Sequence, residues 1–308
     1  MPKAPLEKLP LAARKDLRDN WENKKSEFEK TISELFGTAW TIEVNPFVNQ
    51  AYATGSASQE AGRILASYIE QGLPKLQDYV KKYGTDGTTE LNTVASSHIL
   101  TIVPDDTGKV SYNACDIKDG KLRILFHEDQ YGSWQSYAFE NLSDAVDTAG
   151  TAAAPQSSST LSFDARQSIK REYEAGIAPV KARLCTLTGL ADGELTLTPN
   201  FEANYAALEE GKASGDWKKE IGKATLGYFE GLAKSLENLK FGEDEMLREG
   251  WQEGVEKKEV AVNAMGKLVG GGSYNETIIR EGVLEINSTI DSWGSWASEA
   301  GKNIIDLL

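Results

Sequence analysis

Apolar residues fall at Leu17, Trp21, Phe28, Ile32 and Leu35. Steps of three, four and seven put them on one face, which predicts an amphipathic helix over Leu11–Phe36 that Gly37 closes. Trp40–Pro46 alternates, with Ile42 and Val44 on one side, and reads as a short strand stopped by proline. A polar loop carries Tyr52, and Ser56 with Gln59 has the spacing of a capping box. The next helix carries a wide apolar face, Ile64, Leu65, Tyr68, Ile69, Leu73, Leu76, Tyr79 and Val80, and Pro74 is expected to kink or split it. After Gly84 a short helix is expected at Thr88–Ser96, then a strand at His98–Val103.

Asp119–Gly120 lies between two alternating stretches, as a two-residue type I′ hairpin turn requires. That turn sets the register. Ile117 faces Leu122, Cys115 faces Ile124 and Asn113 faces Phe126 on the side expected to meet the core. Tyr112 with His127, Ala114 with Leu125, and Asp116 with Arg123 share the other side. A Tyr-Gly-Ser-Trp segment and a helix over Ala138–Val146 follow.

Most of this pattern then recurs. SYNACDIKDGKLRILFHEDQYGSW from Ser111 returns at Ser273 as SYNETIIREGVLEINSTIDSWGSW, without a gap through Trp134 and Trp296. Ile169, Tyr173, Val180, Leu184 and Leu187 repeat the first helix face, Gly189 repeats Gly37, and Leu195, Leu197 and Pro199 repeat Ile42, Val44 and Pro46. Tyr205 repeats Tyr52, Gly222 repeats Gly62, Tyr228 repeats Tyr68, and Asn303 repeats Asn141. Offsets change only between elements. The pattern is that of a tandem duplication, with a period too long for a solenoid. It predicts an α+β fold of two units of about 145 residues, each with long helices on an antiparallel sheet. The small, proline- and serine-containing stretch 148–160 reads as a linker between units 1–147 and 161–308. The two halves are expected to associate as an intramolecular pseudo-twofold dimer.

The chain has 308 residues and a formal net charge of −14. That charge disfavours nucleic acid and anionic membrane as partners. No apolar run approaches the roughly 20 residues that cross a bilayer, and the N-terminal segment lacks the apolar stretch of a signal peptide, so a cytoplasmic protein is expected. Cys115 and Cys185 do not match in the repeat, which fits reduced thiols. Three N-glycosylation sequons, at Asn141, Asn275 and Asn287, are expected to be idle.

Polar residues present in both copies are the candidates for chemistry. Asn113 and Asn275 sit on the inner hairpin face, where an amide needs a structural or ligand partner. Glu70 and Glu230 lie mid-helix, as solvated acids or cavity carboxylates. Tyr52 and Tyr205 either anchor a loop or line a pocket. Around the two glycine turns stand Tyr131 with Trp134, and Trp293 with Trp296, as core packing or as a stacking surface for a sugar or planar ligand. Only two histidines occur, His98 and His127, with Val260 and Thr289 at the matching positions. His127–Asp129 points in alternating directions and yields no converging metal set. Asp105 and Asp106 sit in a turn, and Gly270–Gly272 precedes a strand rather than a phosphate-binding helix. No cofactor is indicated, and oligomeric state is not legible.

These features point first to a non-enzymatic binding protein with an aromatic-lined pocket for a small molecule or glycan. In that reading Tyr131, Trp134, Trp293 and Trp296 supply the rings, Asn113 and Asn275 the polar contacts, and Tyr52 and Tyr205 further lining. The alternatives are an enzyme with one active site in the first half, using His98 or His127 with nearby acids, and a structural or protein-interaction module.

Overall fold

The computed structural model of the chain describes residues 3–153, 161–270 and 274–308. The chain divides into two compact units, Met1–Gln156 and Ser157–Leu308. Each is mixed α+β with one four-stranded sheet.

In the first unit, α1 (Leu11–Leu17) and α2 (Asn23–Phe36) form one helical run through a π-helical turn at Arg18–Glu22. The predicted face buries Trp21, Phe28 and Ile32, and Gly37, at φ 70°, closes the run. After β1 (Thr41–Val44), Pro46 opens a short helix, α3 (Pro46–Gln50), where the sequence suggested only a loop. Its missing N–H costs nothing at a first helical position, and Asn45 Oδ1 accepts from the amides of Phe47 and Val48.

The long helix α4 (Ala61–Val94) runs through Pro74 and breaks instead at Gly84, whose φ 59° and ψ −144° suit only glycine. Its N-terminus is not capped by Ser56, which lies in a 3-10 turn, Gly55–Gln59. Asp16, on α1, does this work. Its carboxylate accepts from the amides of Gly62 (2.7 Å) and Arg63 (2.9 Å), satisfying orphan donors of the first turn. The approach is so close that a Cβ at Gly62 would lie 2.2 Å from the Asp16 carbonyl oxygen.

Three strands complete the sheet: β2 (Ile99–Pro104), β3 (Asn113–Lys118) and β4 (Lys121–Phe126). The order is β1-β2-β4-β3. The expected antiparallel sheet is therefore corrected to a mixed one: β1 with β2 and β2 with β4 are parallel, and only β3 with β4 is antiparallel. The helical crossover between β1 and β2 permits their parallel pairing. Residues 105–112 carry the chain past β4 across two strand spacings, about 10 Å, so β3 forms the outer edge. The hairpin has the predicted register, with Asn113 opposite Phe126 and Cys115 opposite Ile124. Asp119 and Gly120 take positive φ of 53° and 71°.

Two asparagines finish this sheet with side-chain amides. Asn141 accepts from Cys115 N and donates to Cys115 O, both at 2.9 Å, as a neighbouring strand would. Asn49 Nδ2 donates to Ile102 O at 2.9 Å, prolonging the ladder past the end of β1. The helix α5 (Leu142–Ala153) packs beside β3. It begins and ends later than the helix expected at Ala138–Val146 and takes in the first part of the expected linker. The remainder of that linker, together with Gly271, Gly272 and Ser273, lies outside the described residues.

The second unit runs α6 (Phe163–Ser168), a π-helical turn at Ile169–Glu174, α7 (Ala175–Thr188), β5 (Thr196–Thr198), α8 (Phe201–Glu210), α9 (Trp217–Asn238), α10 (Glu245–Gly254), β6 (Glu259–Met265), β7 (Asn275–Arg280) and β8 (Val283–Thr289). The sheet order is β5-β6-β8-β7, again with only the β7–β8 pair antiparallel. Tyr228, Leu232 and Trp251 share one core with Val260, Val262, Leu284 and Ile286. Ser168 Oγ accepts from Gly222 N at 3.0 Å, and a Cβ on Gly222 would lie 2.2 Å from Ser168 O. Asn204 Nδ2 donates to Val262 O (2.9 Å) and Pro199 O (2.8 Å), and its Oδ1 accepts from Ala264 N (2.7 Å). In the first unit Pro104 occupies the strand position of Ala264 and has no N–H. Asn49 Oδ1 is correspondingly buried without a partner. The same register corrects the repeat expected from sequence, placing Lys258 and not Val260 at the position of His98, and Leu197 and not Leu195 at that of Ile42.

Candidate functional site

Beyond β4 the chain folds back on the core through Tyr131. This ring is 6 % exposed. It packs 4.8 Å from Phe126 and 6.3 Å from Tyr68, centroid to centroid. Burial pushes the phenol pKa of both Tyr68 and Tyr131 upward, so both hydroxyls stay protonated.

Tyr68 and Asn113 hold the loop that follows. Tyr68 OH donates to Asn113 Oδ1 at 3.1 Å and accepts from Gly132 N at 3.2 Å. Asn113 Nδ2 donates to the carbonyls of Ser133 (2.7 Å) and Trp134 (2.8 Å). The loop is thereby fixed at three consecutive backbone positions. Gly132 takes φ 81° and Trp134 takes φ 55°, ψ 34°. A left-handed backbone costs a residue with a Cβ about 1–2 kcal/mol, and for a bulky side chain it is a genuine outlier.

The side chain so placed does not pack inward. Trp134 is 54 % exposed, with its ring 5.4 Å from Tyr112 and 6.1 Å from Tyr137. Tyr112 and Tyr137 lie nearly parallel, at 23° and 6.2 Å. All three rings are exposed, as are Ser111, Ser133 and Ser136 beside them in sequence.

The second unit repeats the arrangement with changes. Tyr228 OH donates to Ser288 Oγ at 2.7 Å and accepts from Gly294 N at 2.8 Å. Asn275 Nδ2 donates to Trp296 O at 2.9 Å. Trp296 has φ 55°, ψ 27°, is 58 % exposed, and lies 5.7 Å from Tyr274. Glu299 occupies the register position of Tyr137 and is ion-paired with Lys302, so the ring surface is smaller and carries charge at its rim.

The sequence-derived candidates therefore separate by role. Trp134 and Trp296 are exposed. Asn113 and Asn275 bond the turns beneath them. Tyr131 lies in the core, and Trp293 is half-buried 5.5 Å from Tyr228. Tyr52 is buried edge-on against Phe126 at 5.6 Å, with its hydroxyl accepting from Lys3 N at 2.9 Å. Tyr205 is buried against Trp217 at 5.0 Å. Tyr112, Tyr137 and Tyr274 were missed as site residues. Alternation along the hairpin already puts Tyr112 on the face away from the core, and the Tyr-Asn pair occurs in both units.

The two histidines stand at opposite ends of parallel strands. His98 precedes β2 and lies 5.7 Å from Trp40. His127 follows β4 and accepts from Asp129 N through Nδ1 at 3.2 Å. A groove of about 520 Å³ brings His127 together with Tyr52, Asp105 and Asp106. Both acids are already engaged. Burial works against the Asp105 carboxylate, but bonds from Thr107, Val110 and Lys109 outweigh it and lower its pKa. Arg123 and Lys118 hold Asp106 well below the usual range. Among the described residues no three His, Cys, Asp or Glu side chains converge as a metal site, and no helix is long and apolar enough to cross a membrane. No protein-family model, curated protein or solved structure matches the chain.

Proposed function

We propose that this chain is a non-enzymatic binding protein that holds a small-molecule or glycan ligand against exposed aromatic surfaces. These are Tyr112, Trp134 and Tyr137 in the first unit, and Tyr274 with Trp296 in the second. One observation carries the reading: in both units hydrogen bonds hold a tryptophan in a left-handed backbone while its ring stays in solvent. Packing gives no reason for such an arrangement, because a packing tryptophan gains by burial. Strain maintained by its surroundings clusters at functional positions. Asn113 and Asn275 act on the turns and not on the ligand, and Tyr131 and Trp293 support the loops from below. The matching strand orders and matching tryptophan geometry support descent of both units from one duplicated ancestor.

The test is a paired screen of the wild-type chain and the Trp134→Ala/Trp296→Ala double variant on a glycan array and by native mass spectrometry. Wild-type binding that the double variant loses, with an unchanged circular dichroism spectrum, is the expected result. Undiminished binding by the double variant would refute the reading. A second reading, recognition of another protein, is favoured by the local composition. Ser133-Trp134-Gln135-Ser136-Tyr137, with Ser111 and Tyr112 beside it, combines exposed rigid amphipathic rings with small hydrogen-bonding residues, as antibody combining sites do. Retention of a protein from extract by the wild type alone, with no glycan or small molecule bound, would support it instead.

A further inference from the structure

Resting on the binding reading above, we infer that the first unit takes a neutral oligosaccharide across two adjoining subsites. One sugar ring lies on the Trp134 surface and the next lies in the groove along β3. The two subsites are continuous through Tyr112. Its ring touches Trp134 on one side, and on the other it enters a groove of about 380 Å³ lined by Thr107, Lys109, Ser111, Ala114 and Asp116 and reaching Asn141.

Three features select this occupant. First, the groove follows an edge strand, where an extended peptide would bind through outward backbone groups. Those of Cys115, at the middle of the strand, are already taken by the Asn141 amide, which interrupts strand pairing there and shifts recognition towards side chains. Second, the groove carboxylate is neutralised in place. Asp116 is ion-paired with Arg123 at 2.6 Å, and Arg123 also holds Asp106 at 3.0 Å. A chain of net charge −14 repels polyanions, and a cation finds Asp116 and Asp106 already paired with Arg123 and Lys118 and meets Lys109 in the lining, so an uncharged ligand fits best. Third, both subsites are open to solvent. A compact small molecule needs most of its surface covered, whereas a chain of sugars adds contact area with each residue and can leave at either end.

The experiment uses the full chain carrying Trp296→Ala, so that only the first surface reports. One-, two- and three-residue oligomers of the neutral sugar selected on an array are titrated by following tryptophan emission. About tenfold tighter binding of the dimer than the monomer is expected, equivalent to about 1.4 kcal/mol from the second subsite. Ala114→Phe, which fills the groove, should remove that gain and leave monosaccharide binding intact. Ser111→Leu, at an exposed position on the same groove, should do the same and guards against a folding defect in the first variant. Trp134→Ala should remove both components. Equal affinities for all lengths, or a gain that survives both filling variants, overturns the second subsite while the ring surface stands. Absence of any neutral glycan among the ligands overturns the oligosaccharide itself. If Trp134→Ala also leaves every ligand bound, the broader binding reading falls with it.

Discussion

The backbone at Trp134 yields a direct measurement of the strain placed there. Two substitutions isolate it, Trp134→Ala and Trp134→Gly. Both remove the same ring, which is 54 % exposed, so the loss of packing largely cancels between them. They differ in how they tolerate φ 55°. Alanine is penalised there by about 1–2 kcal/mol, and glycine is not. Glycine's greater freedom in the unfolded chain takes back about 0.5–1 kcal/mol. The glycine variant should therefore be the more stable by about 1 kcal/mol. With a urea slope of about 1–3 kcal/mol per molar, its unfolding midpoint should lie about 0.3–1 M above that of the alanine variant. The assay is urea unfolding followed by far-ultraviolet circular dichroism, with the slopes compared to check that unfolding is unchanged in kind. The same order should hold at Trp296, where φ is also 55°. Equal midpoints at both sites would refute the argument, because they would mean that the turn relaxes and does not hold its tryptophan outward.

Asn204→Ala removes three hydrogen bonds and Asn49→Ala removes one. At about 1 kcal/mol per bond, the first should cost about 2–3 kcal/mol more in equilibrium unfolding than wild type and the second about 1 kcal/mol. Gly222→Ala drives a Cβ to 2.2 Å from a backbone oxygen. It should cost at least about 1–3 kcal/mol, as overpacking does, visible as a lower thermal midpoint. The Asp106 carboxylate is held below its ordinary 3.8 by Arg123 and Lys118, so it stabilises the fold above that value and the contribution fades as pH falls below it. Asp106→Asn should therefore flatten the acid side of the stability–pH curve below about pH 4, measured by urea midpoints from pH 2 to 6.

Much of each unit was legible because its determinants are local. Asp119–Gly120 dictates its own turn, and the turn dictates the pairing of Cys115 with Ile124. The helix faces at Trp21, Phe28 and Ile32 follow from spacing alone. Strand order was not legible, since placing β4 between β2 and β3 depends on where a loop crosses and leaves no trace in alternation. The cap of α4 was missed because its acceptor, Asp16, lies 46 residues from Gly62, beyond the reach of a capping-box pattern. At the site, repetition exposed Trp134 and Trp296, but it could not separate an exposed ring from a buried one. Tyr131 and Trp134 stand three residues apart in one motif, and only the left-handed turn between core and solvent sends them in opposite directions. Tyr137 has no aromatic counterpart at Glu299, so a search for shared residues passed over it.

The amide of Asn141 is also a point at which one chemical change would reach the sheet edge. Hydrolysis of that one side chain to a carboxylate replaces the donor facing Cys115 O with a negatively charged oxygen. The strand edge then keeps the bond from Cys115 N but loses the one to Cys115 O and gains a repulsion at that carbonyl. An exposed edge is a template for pairing with other chains, so a change of one atom in one molecule becomes a property of the whole solution. In stored protein, aggregation should rise in step with deamidation at Asn141 as followed by peptide mass, and Asn141→Asp should aggregate from the outset. Fresh-like behaviour from that variant would show that the edge is guarded by α5 alone.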